Sequence, residues 1–164
     1  MKKIIWPVVF VLLFVTGCSQ KQKNFLPEAK NDKTYTNVGI TSSANYTIDV
    51  PSGYIYEKDY DDGILEESWE HPETDDVQIC VTTYENSDEI TARGKFLEEN
   101  NDYVFEDLLG YSLCGTEPDG DTLWFNTHVS GRNVYIVSWE YPAKAEEELK
   151  KELSDIAQSF KDRR

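Results

Sequence analysis

Asp121-Thr122-Leu123-Trp124-Phe125-Asn126-Thr127-His128-Val129-Ser130-Gly131-Arg132-Asn133-Val134-Tyr135-Ile136-Val137-Ser138-Trp139-Glu140-Tyr141-Pro142 is the stretch on which the architecture turns. Two strand-like runs, Asp121 to Ser130 and Arg132 to Tyr141, flank a tight Ser130-Gly131 turn, which is hairpin chemistry. From Val134 to Trp139 the second run is apolar on both phases, so this strand expects cover on both faces of its sheet. A four-residue loop would place Trp124 opposite Trp139. Trp124 and His128 then share one side of their strand, and Tyr135 and Trp139 share one side of theirs. Under a helix these four are core, the reading that double burial favours; on an open sheet they form a flat ligand-binding face.

Downstream, Pro142 suits the first turn of a helix, and Glu146, Glu147 and Glu148 complement its positive end. Leu149, Leu153, Ile156 and Phe160 make one apolar stripe, while Lys161, Arg163 and Arg164 close the negative end. Such a stripe needs a sheet to cover it.

Upstream, Tyr46-Thr47-Ile48-Asp49-Val50 alternates and stops at Pro51-Ser52-Gly53. Tyr54 to Lys58 and Ile64 to His71 flank Asp61-Asp62-Gly63, where Asp-Gly tolerates the positive φ of a tight hairpin. A strand is expected over Val77 to Tyr84, then a helix from about Ser87 to Asn100 on the stripe Ile90, Gly94 and Leu97. Strands Tyr103 to Glu106 and Gly110 to Thr116 lead into the central hairpin. The expected fold class is α+β: a mainly antiparallel sheet of about six or seven strands with two packed helices.

This order of elements resembles PsbP-like domains, an α/β/α sandwich also found in bacterial lipoproteins. The resemblance spans about residues 45 to 161. It is carried by Tyr46-Thr47-Ile48-Asp49-Val50-Pro51-Ser52-Gly53-Tyr54, by Tyr135-Ile136-Val137-Ser138-Trp139 with Tyr141-Pro142, and by Leu149, Ile156 and Ser159-Phe160. These motifs are architectural, and the fold hosts unrelated functions.

The first residues carry a different message. Lys2 and Lys3 precede twelve mostly apolar residues, Ile4 to Val15, too few for a transmembrane helix and correct for a signal peptide. Val15-Thr16-Gly17-Cys18 resembles the lipobox of bacterial lipoproteins, with Val15 where leucine is commonest. The resemblance implies a diacylglyceryl group on the Cys18 thiol and cleavage between Gly17 and Cys18. Acyl chains at about 0.8 kcal/mol per buried methylene would hold the chain durably on a membrane. The expected division is a cleaved signal peptide over 1–17, a lipidated cysteine and flexible tether over 18–44, and an acidic domain over 45–164.

Charge follows that division. Residues 19–44 hold four lysines against two acids, whereas residues 45–164 hold 10 basic against 29 acidic residues, a net of −19. Such a head repels nucleic acid and anionic lipid, so no nucleic-acid partner is expected. Aromatics make up 13% of the chain, enough bulky material for one core of about 120 residues.

Catalytic chemistry is sparse. Cys80 and Cys114 each fall on the less apolar phase of a strand, which permits a disulfide between them and equally permits two buried thiols. His71 and His128 form no zinc-ligand spacing, and a Cys114/His128 dyad lacks a nucleophile elbow. The acidic turns Asp59-Tyr60-Asp61-Asp62-Gly63, Glu73-Thr74-Asp75-Asp76 and Glu117-Pro118-Asp119-Gly120-Asp121 read as solvated turns; the first departs from the EF-hand pattern. No metal, cofactor or catalytic residue is expected. The favoured expectation is a non-enzymatic binding or envelope-assembly module, lipid-anchored through Cys18 on the extracytoplasmic face of the cell membrane, with an envelope or secreted protein as partner. A small-ligand or cation-binding lipoprotein is the alternative, and a hydrolase the third.

Overall fold

The computed structural model describes residues 35–38, 45–105 and 112–163. The signal segment 1–17 and Cys18 lie outside them, as does Arg164. Among the described residues ten strands and two helices follow one another: β1 (Tyr35–Val38), β2 (Asn45–Ile48), β3 (Ile55–Asp61), β4 (Ile64–Glu70), β5 (Gln78–Tyr84), α1 (Glu89–Glu99), β6 (Val104–Phe105), β7 (Ser112–Thr116), β8 (Thr122–Ser130), β9 (Asn133–Tyr141), α2 (Glu147–Gln158) and β10 (Lys161–Asp162).

Seven strands form one antiparallel sheet in the order β3-β4-β5-β9-β8-β7-β6, with β9 at its centre. That position explains why Val134 to Trp139 is apolar on both phases: all six residues are buried. Val134 and Ile136 face a core shared with Ala92 and Phe96 of α1. Tyr135, Val137 and Trp139 face a second core shared with Leu153, Ile156 and Ala157 of α2. The helices therefore cover opposite faces of the sheet. A small antiparallel sheet, β1-β2-β10, lies on the α2 side, where Tyr46 and Ile48 enter the same core.

Turn chemistry sets the register. Asp62 (φ 41°) and Gly63 (φ 79°) both adopt the left-handed region, as a type I′ hairpin requires, so Asp61 pairs with Ile64 and Lys58 with Glu67. Gly131 (φ 62°) serves the β8–β9 turn, and Trp124 pairs with Trp139 as the sequence predicts.

Four details differ from expectation. Tyr35–Val38, within the stretch read as tether, pairs antiparallel with β2, so hydrogen-bonded structure begins ahead of Asn45. The buried face of α1 is Ala92 and Phe96; Ile90 is 85% exposed, because the largest ring on the helix, Phe96, seats itself on Phe125 at 4.8 Å and turns Ile90 outward. Asp88 caps this helix, its carboxylate accepting from the Thr91 amide at 2.9 Å. Pro142 lies outside α2, which starts five residues later at Glu147, since a turn with Ala145 N–H donating to the Pro142 carbonyl intervenes. Lys161 does not cap the helix end either; it pairs with Thr47 in the small sheet.

Candidate functional site

The aromatic row resolves into core and rim. Trp124 and Trp139 stack with centroids 6.1 Å apart and planes 7° from parallel. Trp139 and Tyr135 are buried under α2, while Trp124 is half-buried at the edge, its indole N–H donating to the Tyr141 hydroxyl at 3.0 Å. His128 lies 4.7 Å from the Phe160 ring, and burial holds its pKa below the ordinary histidine value against a weaker opposing pull from Asp162. The four residues named as a ligand face thus share one side of the sheet, but most of that side is occupied by the chain itself.

The cysteines are not joined. Cys80 opposes Ser138 on the α1 face, whereas Cys114 opposes Trp124 on the α2 face. They stand on opposite faces and three strands apart, roughly 14 Å at ordinary strand spacing, so the permitted disulfide does not form and both remain thiols. Strand alternation reports phase within one strand; it cannot tell which face that phase meets. Cys114 and His128 do share a face, but four residues separate His128 from the Cys114 partner Trp124, about 13 Å along β8, which leaves no dyad.

Two acidic residues of the first hairpin, Glu57 and Glu67, are buried, and the sequence analysis singled out neither. Glu67 is fully buried in the α2-side core and accepts hydroxyl hydrogen bonds from Tyr46 at 2.5 Å and Tyr56 at 2.6 Å. The Lys58 ammonium lies 3.1 Å away, on a side chain 15% exposed. Burial, then the neighbouring Glu67 charge, pushes the Tyr46 hydroxyl pKa well up. The signal was present: Glu67 sits between Leu65 and Trp69 on the apolar phase of its strand, and the Asp-Gly hairpin places Lys58 opposite it.

A small recess lies on the other face. There α1 packs on β8 and β9, and Glu99 in its last turn reaches Tyr84 of β5. A cavity of about 230 Å³ opens at that point, lined by Glu66, Glu99 and Glu140 together with Gln78, Cys80, Thr82 and Ser138. Glu140 accepts from the Gln78 amide at 3.0 Å and from the Tyr103 hydroxyl. Glu99 accepts from the Tyr84 hydroxyl at 3.5 Å. Burial and the adjoining carboxylates raise both tyrosine pKa values, so the hydroxyls stay protonated donors. The Cys80 sulfur lies 3.8 Å from Thr82 Oγ1. Alternation along the strand puts Gln78, Cys80 and Thr82 on one phase; that the last turn of α1 borders them is a tertiary fact.

A scan against protein families finds no match for the chain, and none is found among curated proteins. Among solved structures it is similar to a protein from Bacteroides thetaiotaomicron, at 15% identity and a TM-score of 0.44. That similarity covers 81% of this chain and 49% of the other, so the chain spans about half the length of that structure. Among the described residues no helix is long and apolar enough to cross a membrane.

Proposed function

We propose that this chain is a lipoprotein of the extracytoplasmic membrane surface, tethered through a lipid on Cys18, whose PsbP-like domain acts as a non-enzymatic binding or envelope-assembly module. The observation that carries this reading is Val15-Thr16-Gly17-Cys18 behind a short apolar run with two leading lysines. The PsbP-like part rests on the motifs at Tyr46–Tyr54 and Tyr135–Pro142, with which a seven-stranded antiparallel sheet bearing a helix on each face agrees. The acidic recess at the end of α1 supports recognition as the domain's task, and it favours cation or small-ligand binding as the second reading.

The test is fractionation and mass spectrometry of the natural product. The wild-type chain should begin at an acylated Cys18 and partition with the membrane, and Cys18→Ser should move to the soluble fraction. A Cys18→Ser chain retained in the membrane, or an unmodified thiol at Cys18, overturns the proposal.

A further inference from the structure

Strand β10 is two residues long, yet it closes one side of the small sheet, pairing Lys161 with Thr47 and Asp162 with Tyr46 of β2. Two backbone pairs hardly hold a chain end, because ordering the residues costs entropy comparable to what the hydrogen bonds return. What seats β10 is the residue before it. Phe160 is buried, and its ring packs on His128 at 4.7 Å, Tyr46 at 5.2 Å and Tyr135 at 5.6 Å. Just upstream, the Asp49 amide donates to Ser159 Oγ at 2.7 Å, so the end of α2 is fastened to the chain after β2 without the help of β10.

Among these four rings, His128 is the one whose charge changes near neutral pH. It stands on the α2 side of β8 opposite Tyr135, and its Nε2 is buried and meets no hydrogen-bond partner. A neutral imidazole tolerates this, since the tautomer protonated at Nδ1 leaves only a lone pair at Nε2. The imidazolium carries a proton on both nitrogens, and a buried charged N–H without an acceptor is costly. Its neighbours do not remove that cost. Among the described residues the titratable groups on this side are Asp162 of β10, Tyr135 of β9 and Tyr46 of β2, with Cys114 of β7 farther along the same face. Trp124 and Asn126, on the phase of β8 that His128 shares, carry no charge. Burial outweighs the pull of Asp162 and keeps the His128 pKa below its ordinary value.

We propose that His128 and Phe160 form a pH-sensitive latch: a proton on His128 turns the imidazole out toward water, withdraws the surface that seats the Phe160 ring, and frees Phe160 and β10 from β2 while α2 stays in place. The sign follows from linkage. With the latch open, His128 is solvated and takes up its proton near the ordinary value of about 6.5; with the latch closed, it does so at lower pH. The closed state is therefore fully favoured above about pH 6.5, and the open fraction rises up to about tenfold per pH unit below it until the closed-state pKa is reached. This device goes beyond the binding reading and needs neither lipid nor partner.

Amide hydrogen exchange of the full chain is followed by NMR between pH 7.5 and 5, corrected for the intrinsic pH dependence of exchange, with the His128 ring signals titrated in the same samples. Exchange of the amides that pair β2 with β10 should quicken as pH falls, over the range in which His128 titrates, while the α2 amides from Leu153 to Ala157 keep their protection. His128→Phe, which keeps a ring beside Phe160 and cannot take up a proton, should abolish the pH dependence. Asp162→Asn, which removes the charge that favours the imidazolium, should move it to lower pH. His71→Gln, at the other histidine, which packs on Tyr54, should leave it unchanged. The latch is refuted if β10 exchange stays flat while His128 titrates, if α2 loosens together with β10, if His128→Phe retains the wild-type pH dependence, or if His71→Gln removes it. Should His128→Phe fail to fold, the wild-type titrations and Asp162→Asn decide: coincident curves and a shift to lower pH support the latch, and separate curves or a shift to higher pH overturn it.

Discussion

Replacing Glu67 by leucine tests whether the buried carboxylate organises the α2-side core. At 3.1 Å from Lys58, the gross attraction is about 5 kcal/mol at an effective dielectric constant of 20. Most of it offsets the cost of taking both charges out of water. Removing the carboxylate takes from the buried Tyr46 hydroxyl and from the Tyr56 hydroxyl a charge-assisted hydrogen bond of about 1.5–3 kcal/mol each. Lys58, with its side chain 15% exposed, relieves part of its own loss by turning toward water. The expected cost is therefore about 3 kcal/mol, at the low end of the 3–5 kcal/mol typical for breaking a buried pair. That is a large share of a total stability of about 5–15 kcal/mol. Urea unfolding followed by circular dichroism measures it. A double-mutant cycle sharpens the test: Tyr46→Phe alone should cost about 1.5–3 kcal/mol, and nearly nothing in the Glu67→Leu background, where no acceptor remains for the hydroxyl. A Glu67→Leu cost under about 1 kcal/mol, or equal Tyr46→Phe costs in both backgrounds, refutes the reasoning.

Alkaline titration should destabilise the domain. Burial raises the pKa values of Tyr46, Tyr54 and Tyr84, so the unfolded chain releases these protons first, near pH 10. Their stabilisation is intact below that pH and is lost as pH rises toward the folded values, at up to about 1.4 kcal/mol per pH unit per group; a urea midpoint that stays flat between pH 9 and 11 contradicts this. Gly115→Ala should destabilise by about 1–3 kcal/mol, because a β-carbon there would stand 2.6 Å from the Phe105 ring, itself packed on Phe125 at 5.7 Å. A neutral or stabilising change in thermal unfolding would show that the ring moves aside freely. Cys80 and Cys114 should both label with a thiol reagent after denaturation without reductant, and peptide mapping that finds them joined would contradict the placement on opposite faces.

Much of the sheet was legible because local chemistry dictates it. Asp62-Gly63 admits one tight turn, whose register carries Lys58 to Glu67, and the β8–β9 turn carries Trp124 to Trp139. The double-sided apolar run at Val134 to Trp139 announced the central strand, and the 149–160 stripe announced a helix on a sheet. Helix boundaries were less legible. Pro142 permits a first turn without compelling one, and α1 has too weak a stripe for periodicity to choose between Ile90 and Ala92.

The candidate site divides the same way. Residue types and strand phase determined by sequence alone placed Gln78, Cys80 and Thr82 on one side of β5 and set Glu67 among apolar neighbours. Only the tertiary structure decided that Cys80 and Cys114 face apart, that α2 covers Trp139, and that the last turn of α1 borders a recess on β4 and β5. The physical reason is one of range. Turn geometry and alternation act over a few residues, whereas the choice of face and the point where a helix stops depend on large side chains such as Phe96 and Leu153 finding space among strands distant in sequence.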